Sequence, residues 1–142
     1  MVHVKQLLGR KGHEVWSVDA DEPVLGAIQM MADKRVGALP VTRNGELVGV
    51  ISERDYARKV ILLGRSSAET PVWQIMSSPV VTVTPDDGVR QCMQVMTEKR
   101  IRHLPVMQDG RMVGMISIGD LVRVVIEEQD QTIEHLERFI AG

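Results

Sequence analysis

Apolar residues recur along this chain with two different periods, and the order of the periods repeats. Short β-rich runs come first, at Val15-Trp-Ser-Val18 and again at Val80-Val-Thr-Val83. Each is followed by a turn or helix-start cluster, Asp21-Glu-Pro23 in one place and Asp86-Asp87-Gly88 in the other. Val24, Ala27, Ile28 and Met31 then fall at i, i+3, i+4 and i+7, and so do Val89, Cys92, Met93 and Met96. That spacing predicts a helix with one buried stripe in each half. A strand ending near Val41 or Val106 follows. Asn44-Gly45 and Asp109-Gly110 supply the two-residue turn of a β-hairpin, returning through 47–51 or 112–116. Ser52 and Ser117 each open a second helix, and 64–71 reads as a polar linker. In the tail, Asp130–Phe139, followed by Ile140, places Ile133, Leu136 and Ile140 on one face of a further helix, expected to cap the core or pack on a partner chain.

The pattern repeats because the residues do. Shifted by 65, Val15–Val60 aligns with Val80–Val125 without a gap, and 19 of the 46 aligned residues are identical. The identities concentrate at Lys34-Arg35 through Val41 against Lys99-Arg100 through Val106, and at Gly45–Asp55 against Gly110–Asp120. A lead-in repeats as well: Val4-Lys-Gln6-Leu-Leu resembles Val72-Trp-Gln74-Ile-Met. Each unit is thus β-α-β-β-α. One copy is small for an independent core, so two copies packed sheet to sheet under pseudo-twofold symmetry are expected, divided at 1–66 and 67–142.

Composition narrows the function. The 142 residues are 44% apolar and 25% charged, an ordinary globular balance. Aromatics make up 3% and the net charge is -2, which argues against nucleic-acid binding through stacking or a basic face. Cys92 has no disulfide partner and lies on a core stripe. His3, His13 and His135 read as surface residues. No zinc spacing, secretory signal or membrane-length apolar run is apparent, which fits a reducing, cytoplasmic or organellar-matrix setting. No nucleophile–base pair, metal-ligand set or phosphate-binding glycine loop stands out, so an enzyme has no positive support.

Two motifs carry candidate chemistry. Ser52-Glu-Arg-Asp55 and Ser117-Ile-Gly-Asp120 read as helix capping boxes. They also read as ligand grips: a Ser hydroxyl and an Asp carboxylate at a helix N-terminus suit a cis-diol such as a ribose. Gly49 and Gly114, three residues earlier, would let something approach the strand closely. The second motif is Arg102-His103, which stands where the first repeat has Gly37-Ala38. Two cations beside a helix N-terminus make a phosphate site, with Arg54 and Arg58 able to add charge. The alternative is a pair of solvated residues at a strand start.

The lead-in at Val72–Met76, Arg102-His-Leu-Pro-Val106 and Gly114-Met-Ile-Ser117-Ile-Gly-Asp120 together resemble the CBS domain, present here as a tandem pair (a Bateman module). The chain looks most like the stand-alone two-CBS proteins of bacteria and plant organelles. The resemblance implies a non-catalytic regulatory module that takes adenosine-bearing ligands in inter-repeat clefts: AMP, ADP or ATP, with NADH or S-adenosylmethionine possible. By position, Ser117 and Asp120 would hold the ribose, with Ser52 and Asp55 as their equivalents. Thr82, Val83, Thr84, Ile101 and Leu104 would flank the adenine. Arg102 and His103, with Gly119, Arg54 and Arg58, would face the phosphates. Asp19 replaces Thr84 in the first repeat, so the cleft using Asp120 is expected to be the better site. The resemblance also implies a homodimer, contacting through the helices after Ser52 and Ser117 and the C-terminal helix, and an effector protein as yet unspecified. A ligand-independent interaction or scaffold role is the alternative.

Overall fold

The computed structural model describes residues 2–12 and 14–141; His13 lies outside the described residues. The fold is α+β. Its elements are α1 (Val4–Lys11), β1 (Val18–Asp19), α2 (Val24–Lys34), β2 (Ala38–Arg43), β3 (Glu46–Ser52), α3 (Glu53–Tyr56), α4 (Val89–Lys99), β4 (His103–Gln108), β5 (Arg111–Ser117) and α5 (Ile118–Ala141). A π-helical turn (Ala57–Ile61) continues α3, and a 3-10 turn spans Val72–Gln74.

The chain forms two compact units. One is Val15–Val81; the other joins Met1–Glu14 to Thr82–Gly142. The division at 66/67 follows the sequence repeat, whereas the units follow the packing, and the two differ by an exchange of lead-ins. The segment before the first repeat folds with the second, and the segment before the second folds with the first. Backbone bonds fix both. Val72 and Trp73 N–H donate to the carbonyls of Glu22 and Ala20 (both 2.9 Å). Val4 and Lys5 N–H donate to Asp87 and Pro85 (both 2.9 Å), the same pair one repeat on.

In the unit Val15–Val81, β1 pairs parallel to β2 and β2 antiparallel to β3, giving the order β1-β2-β3. The other unit holds the β4-β5 hairpin, and Val83 bridges Val106 in parallel where β1 would lie. Both hairpins turn as expected. Asn44-Gly45 has φ of 53° and 79°, and Asp109-Gly110 has 52° and 76°, the left-handed pair that a tight right-twisted hairpin requires. Both also carry the same register shift, at Val41/Thr42 and at Val106/Met107.

The helical stripes face the cores. Val24, Ala27 and Met31 are buried with Leu39, Val41, Ile51, Val72 and Ile75. Val89, Cys92 and Met96 are buried in the other unit, as are Leu7, Leu8, Leu104, Ile116 and Leu121. Burial pushes the Cys92 thiol up to about 11, helped by the charge of Asp87, so the thiol stays protonated.

Three local readings change. The polar stretch 64–71 is largely exposed, as a linker would be, but it is tied down: Ser67 and Thr70 carbonyls accept the N–H groups of Leu25 and Val24, orphan donors at the start of α2, and Tyr56 shares a hydrogen bond with Ser67 (3.0 Å). The helix after Ser52 is one α turn and then π. The tail is no separate helix either: α5 runs unbroken for 24 residues, and Ile133, Leu136 and Ile140 are exposed rather than capping the core.

Candidate functional site

The two Ser–Asp caps fold alike. At the start of α3, the Ser52 N–H donates to Asp55 Oδ2 (3.0 Å), and the Asp55 N–H donates back to Ser52 Oγ (3.1 Å). At the start of α5, the Ser117 N–H donates to Asp120 Oδ2 (2.8 Å), and the Asp120 N–H donates to Ser117 Oγ (3.2 Å). Both are reciprocal capping boxes, which satisfy donors that the helix leaves unpaired.

Each carboxylate also carries an ammonium. Lys59 Nζ lies 3.2 Å from Asp55 Oδ1 and donates to the Ile75 carbonyl (2.9 Å). Lys11 Nζ donates to Asp120 Oδ2 (2.5 Å) and to the Met115 carbonyl (2.8 Å). Burial alone would raise the Asp120 pKa. The Lys11 hydrogen bond and charge, with the Ser117 hydrogen bonds, outweigh it and hold the carboxyl below its ordinary value. Asp120 is therefore an ionised acceptor at neutral pH. Lys59 stands four residues from Asp55 on the same helical run, a spacing legible in sequence. Lys11 comes from α1, and nothing in the repeat points to it.

Arg102 and His103 sit beside the second cap. His103 and Ser117 are cross-strand partners at the ends of β4 and β5, and the Ile118 N–H donates to the Arg102 carbonyl (2.8 Å). One unit thus brings Arg102, His103, Ser117, Gly119 and Asp120 together at the N-terminus of α5. Arg102 and Gly119 are exposed and His103 is half-buried. In the other unit the same places hold Gly37, whose carbonyl accepts the Glu53 N–H (3.0 Å), and Ala38, the partner of Ser52. Arg54 (half-buried) and Arg58 (exposed) belong to that unit, on α3 and the π turn.

The adenine set divides. The side chains of Leu104 and Val83 are buried in their own unit's core. Thr82 and Thr84 are exposed and Ile101 is half-buried. The glycines are also explained from within. A Cβ on Gly114 would stand 2.5 Å from Leu8 Cδ2, and one on Gly49 would stand 2.5 Å from Met76 Sδ and 3.0 Å from the Ser77 carbonyl. What approaches these strands closely is the exchanged lead-in. Among the described residues, no group of three or more His, Cys, Asp or Glu could hold a metal ion.

Two units of like topology, each with a Ser–Asp cap after its hairpin, define a tandem α+β repeat. The CBS domain family profile matches residues 4–61 and 72–127, and the chain belongs to that family. It is 45% identical over 136 residues to the mitochondrial CBS domain-containing protein CBSX3 of Arabidopsis thaliana, covering 92% of this chain and 66% of that protein, just under two thirds of its length. A solved CBS-domain protein of Burkholderia ambifaria MC40-6 is 44% identical with a TM-score of 0.86, covering 90% of this chain and 96% of that one. The hexameric CBS-CP12 protein of bloom-forming cyanobacteria is 25% identical with a TM-score of 0.78, covering 99% and 86%. Proteins built only of CBS domains are typically regulatory, ligand-binding and non-catalytic. No helix among the described residues is long and apolar enough to cross a membrane.

Proposed function

We propose that this chain is a regulatory module that binds an adenosine-bearing nucleotide, AMP, ADP or ATP, at the Ser117–Asp120 end of α5, and signals to an effector protein without catalysis. The observation that carries the reading is the placement of Arg102 and His103 beside that cap within one unit. An ionised carboxylate accepts from a ribose diol, and the helix N-terminus with its neighbouring cations favours phosphate. Thr82, Thr84 and Ile101 are the side chains left to flank a base. The Ser52–Asp55 cap has no cation in the equivalent strand position, which supports a preference for the Asp120 site. A ligand with unequal affinity for two states shifts their populations, and a homodimer would carry that shift to a partner. The hexameric relative supports self-association as a property to expect.

Calorimetric and thermal-shift titrations with AMP, ATP, NADH and S-adenosylmethionine test the site. Binding to the native state raises the melting temperature. The expected result is binding of an adenine nucleotide, weakened at least about tenfold by Arg102→Ala, since a charge-assisted bond is worth roughly 1.5–3 kcal/mol. It is also lost in Asp120→Ala. No binding by any of the four, or binding indifferent to both substitutions, overturns the reading.

One observation favours a second reading. Lys11 already satisfies Asp120, as it would in an interaction protein that needs no ligand. Partner capture that is unchanged by nucleotide and by Asp120→Ala is the signature of that role.

A further inference from the structure

We propose that the free face of α5 is a parallel, two-stranded coiled-coil seam formed with the same helix of a second copy of this chain. The inference rests on the homodimer in the functional reading and adds the packing geometry and orientation of its C-terminal helices. Helix α5 has two apolar faces. Leu121 and Val124 point into their own unit. Val122, Ile126, Gln129, Ile133, Leu136 and Ile140 lie in one stripe about a third of a turn round from that face, spaced alternately by four and three residues. Ile126 and Ile133 are each 52% exposed, Leu136 55% and Ile140 83%.

The register selects the occupant. In heptad terms the isoleucines at 126, 133 and 140 take a positions, and Val122, Gln129 and Leu136 take d positions. β-Branched a residues with Leu at d favour two parallel strands; all three a positions here are isoleucine, and Leu136 is the one leucine at d. A parallel pairing sets each stripe residue against itself. Gln129 then meets Gln129 of the second copy, and an amide that both donates and accepts can satisfy its own twin. A single polar core residue of this kind fixes register. Charge excludes the reverse orientation. The side chains flanking the stripe on one edge are Arg123, Asp130 and Glu137, and antiparallel helices would bring Asp130 against Asp130 near the centre. In the parallel pair these face Val125 and Thr132, with no like-charge contact. Charge also argues against a lipid surface, because residues 122–140 hold five acidic side chains against two arginines. Large apolar side chains of this kind bury roughly 100 Å² each. Two copies would then cover about 1,000 Å² or more, the lower range of specific interfaces.

The test uses the full chain. Sedimentation equilibrium of the unsubstituted protein is expected to show a dimer. Ile133→Lys with Leu136→Lys is expected to show a monomer whose circular dichroism and thermal unfolding stay native, since neither side chain is in the core. In a Cys92→Ala background, Leu136→Cys should form an intermolecular disulfide in air-saturated buffer. If the lysine variant remains a dimer, the seam is wrong while the dimer stands. If the unsubstituted chain is a monomer at all concentrations, both fail. Cross-linking of Val122→Cys to Ile140→Cys in a mixture, without cross-linking of Leu136→Cys, overturns the parallel orientation. Sedimentation of the monomeric chain with anionic vesicles would instead make the stripe a membrane face and overturn the proposal.

Discussion

The two units solve one problem by different means. Each closes its hairpin with a Ser–Asp cap, sets an ammonium on the carboxylate, and lets that ammonium reach a backbone carbonyl as well. In the unit Val15–Val81 the ammonium is local, from Lys59 one helical turn on. In the other it arrives from α1, whose Lys11 lies 109 residues before Asp120. The strand ahead of the cap differs too: Gly37-Ala38 in one unit, Arg102-His103 in the other. Duplication kept the geometry and moved the chemistry. One cap is self-contained; the other depends on a distant segment and is placed beside cations.

The largest test of that contrast removes the distant segment's anchor. Leu8 is buried and packs over Gly114. Leu8→Ala should cost about 3 kcal/mol, the middle of the range for a buried leucine. Hydrogen exchange should speed up across β4 and β5, although residue 8 precedes the first repeat. Faster exchange confined to β2 and β3 would mean that the lead-ins are not exchanged.

Smaller effects should separate the two close-approach glycines. At Gly114 the atoms nearest an added Cβ all belong to the Leu8 side chain, whereas at Gly49 they include the Ser77 carbonyl, which is backbone in a bridge to Val50. Gly49→Ala is expected to cost about 2 kcal/mol and Gly114→Ala about 1, within the usual range for overpacking. Chemical denaturation of both variants measures the difference. Equal costs would mean that the lead-in after residue 71 yields as easily as a side chain.

Most of the fold could be read from residue order. Helical stripes and hairpin turns are local signals, and a gapless repeat reports each of them twice. The caps were legible for the same reason, since Ser and Asp sit three residues apart. The illegible parts are non-local. No periodicity says which sheet a lead-in will join, so the glycines seemed to await a ligand when they await Leu8 and Met76. No spacing pairs Lys11 with Asp120. Leu104 and Val83 looked available beside a base, yet their alternating strand positions turn them into the core. The tail's apolar face was visible from Ile133, Leu136 and Ile140, but not its continuity with the helix opened by Ser117. A helix that carries a core face and a free face at once has no single stripe to announce it.

The smallest expected effect is the most specific to the comparison. Lys59→Met removes an i,i+4 pair with the buried Asp55, but the lysine is itself open to solvent and the change in stability should be roughly 0.5 kcal/mol. Lys11→Met should cost about 1 kcal/mol at neutral pH, a modest value because the lysine is itself open to solvent. Its pH dependence identifies the cause. In the native chain the Asp120 carboxyl is held below its ordinary value, so its contribution is present above that value and is lost as pH falls through the folded one. Without Lys11, only the Ser117 hydrogen bonds oppose burial and the folded carboxyl should titrate higher, which reduces the stability gained once the carboxyl ionises. The gap between the native chain and Lys11→Met should therefore be widest near neutral pH and close as the solution becomes strongly acidic. Urea denaturation at several pH values measures it. A gap independent of pH would assign Lys11 to packing, and Asp120 would then owe its ionised form to the Ser117 cap alone.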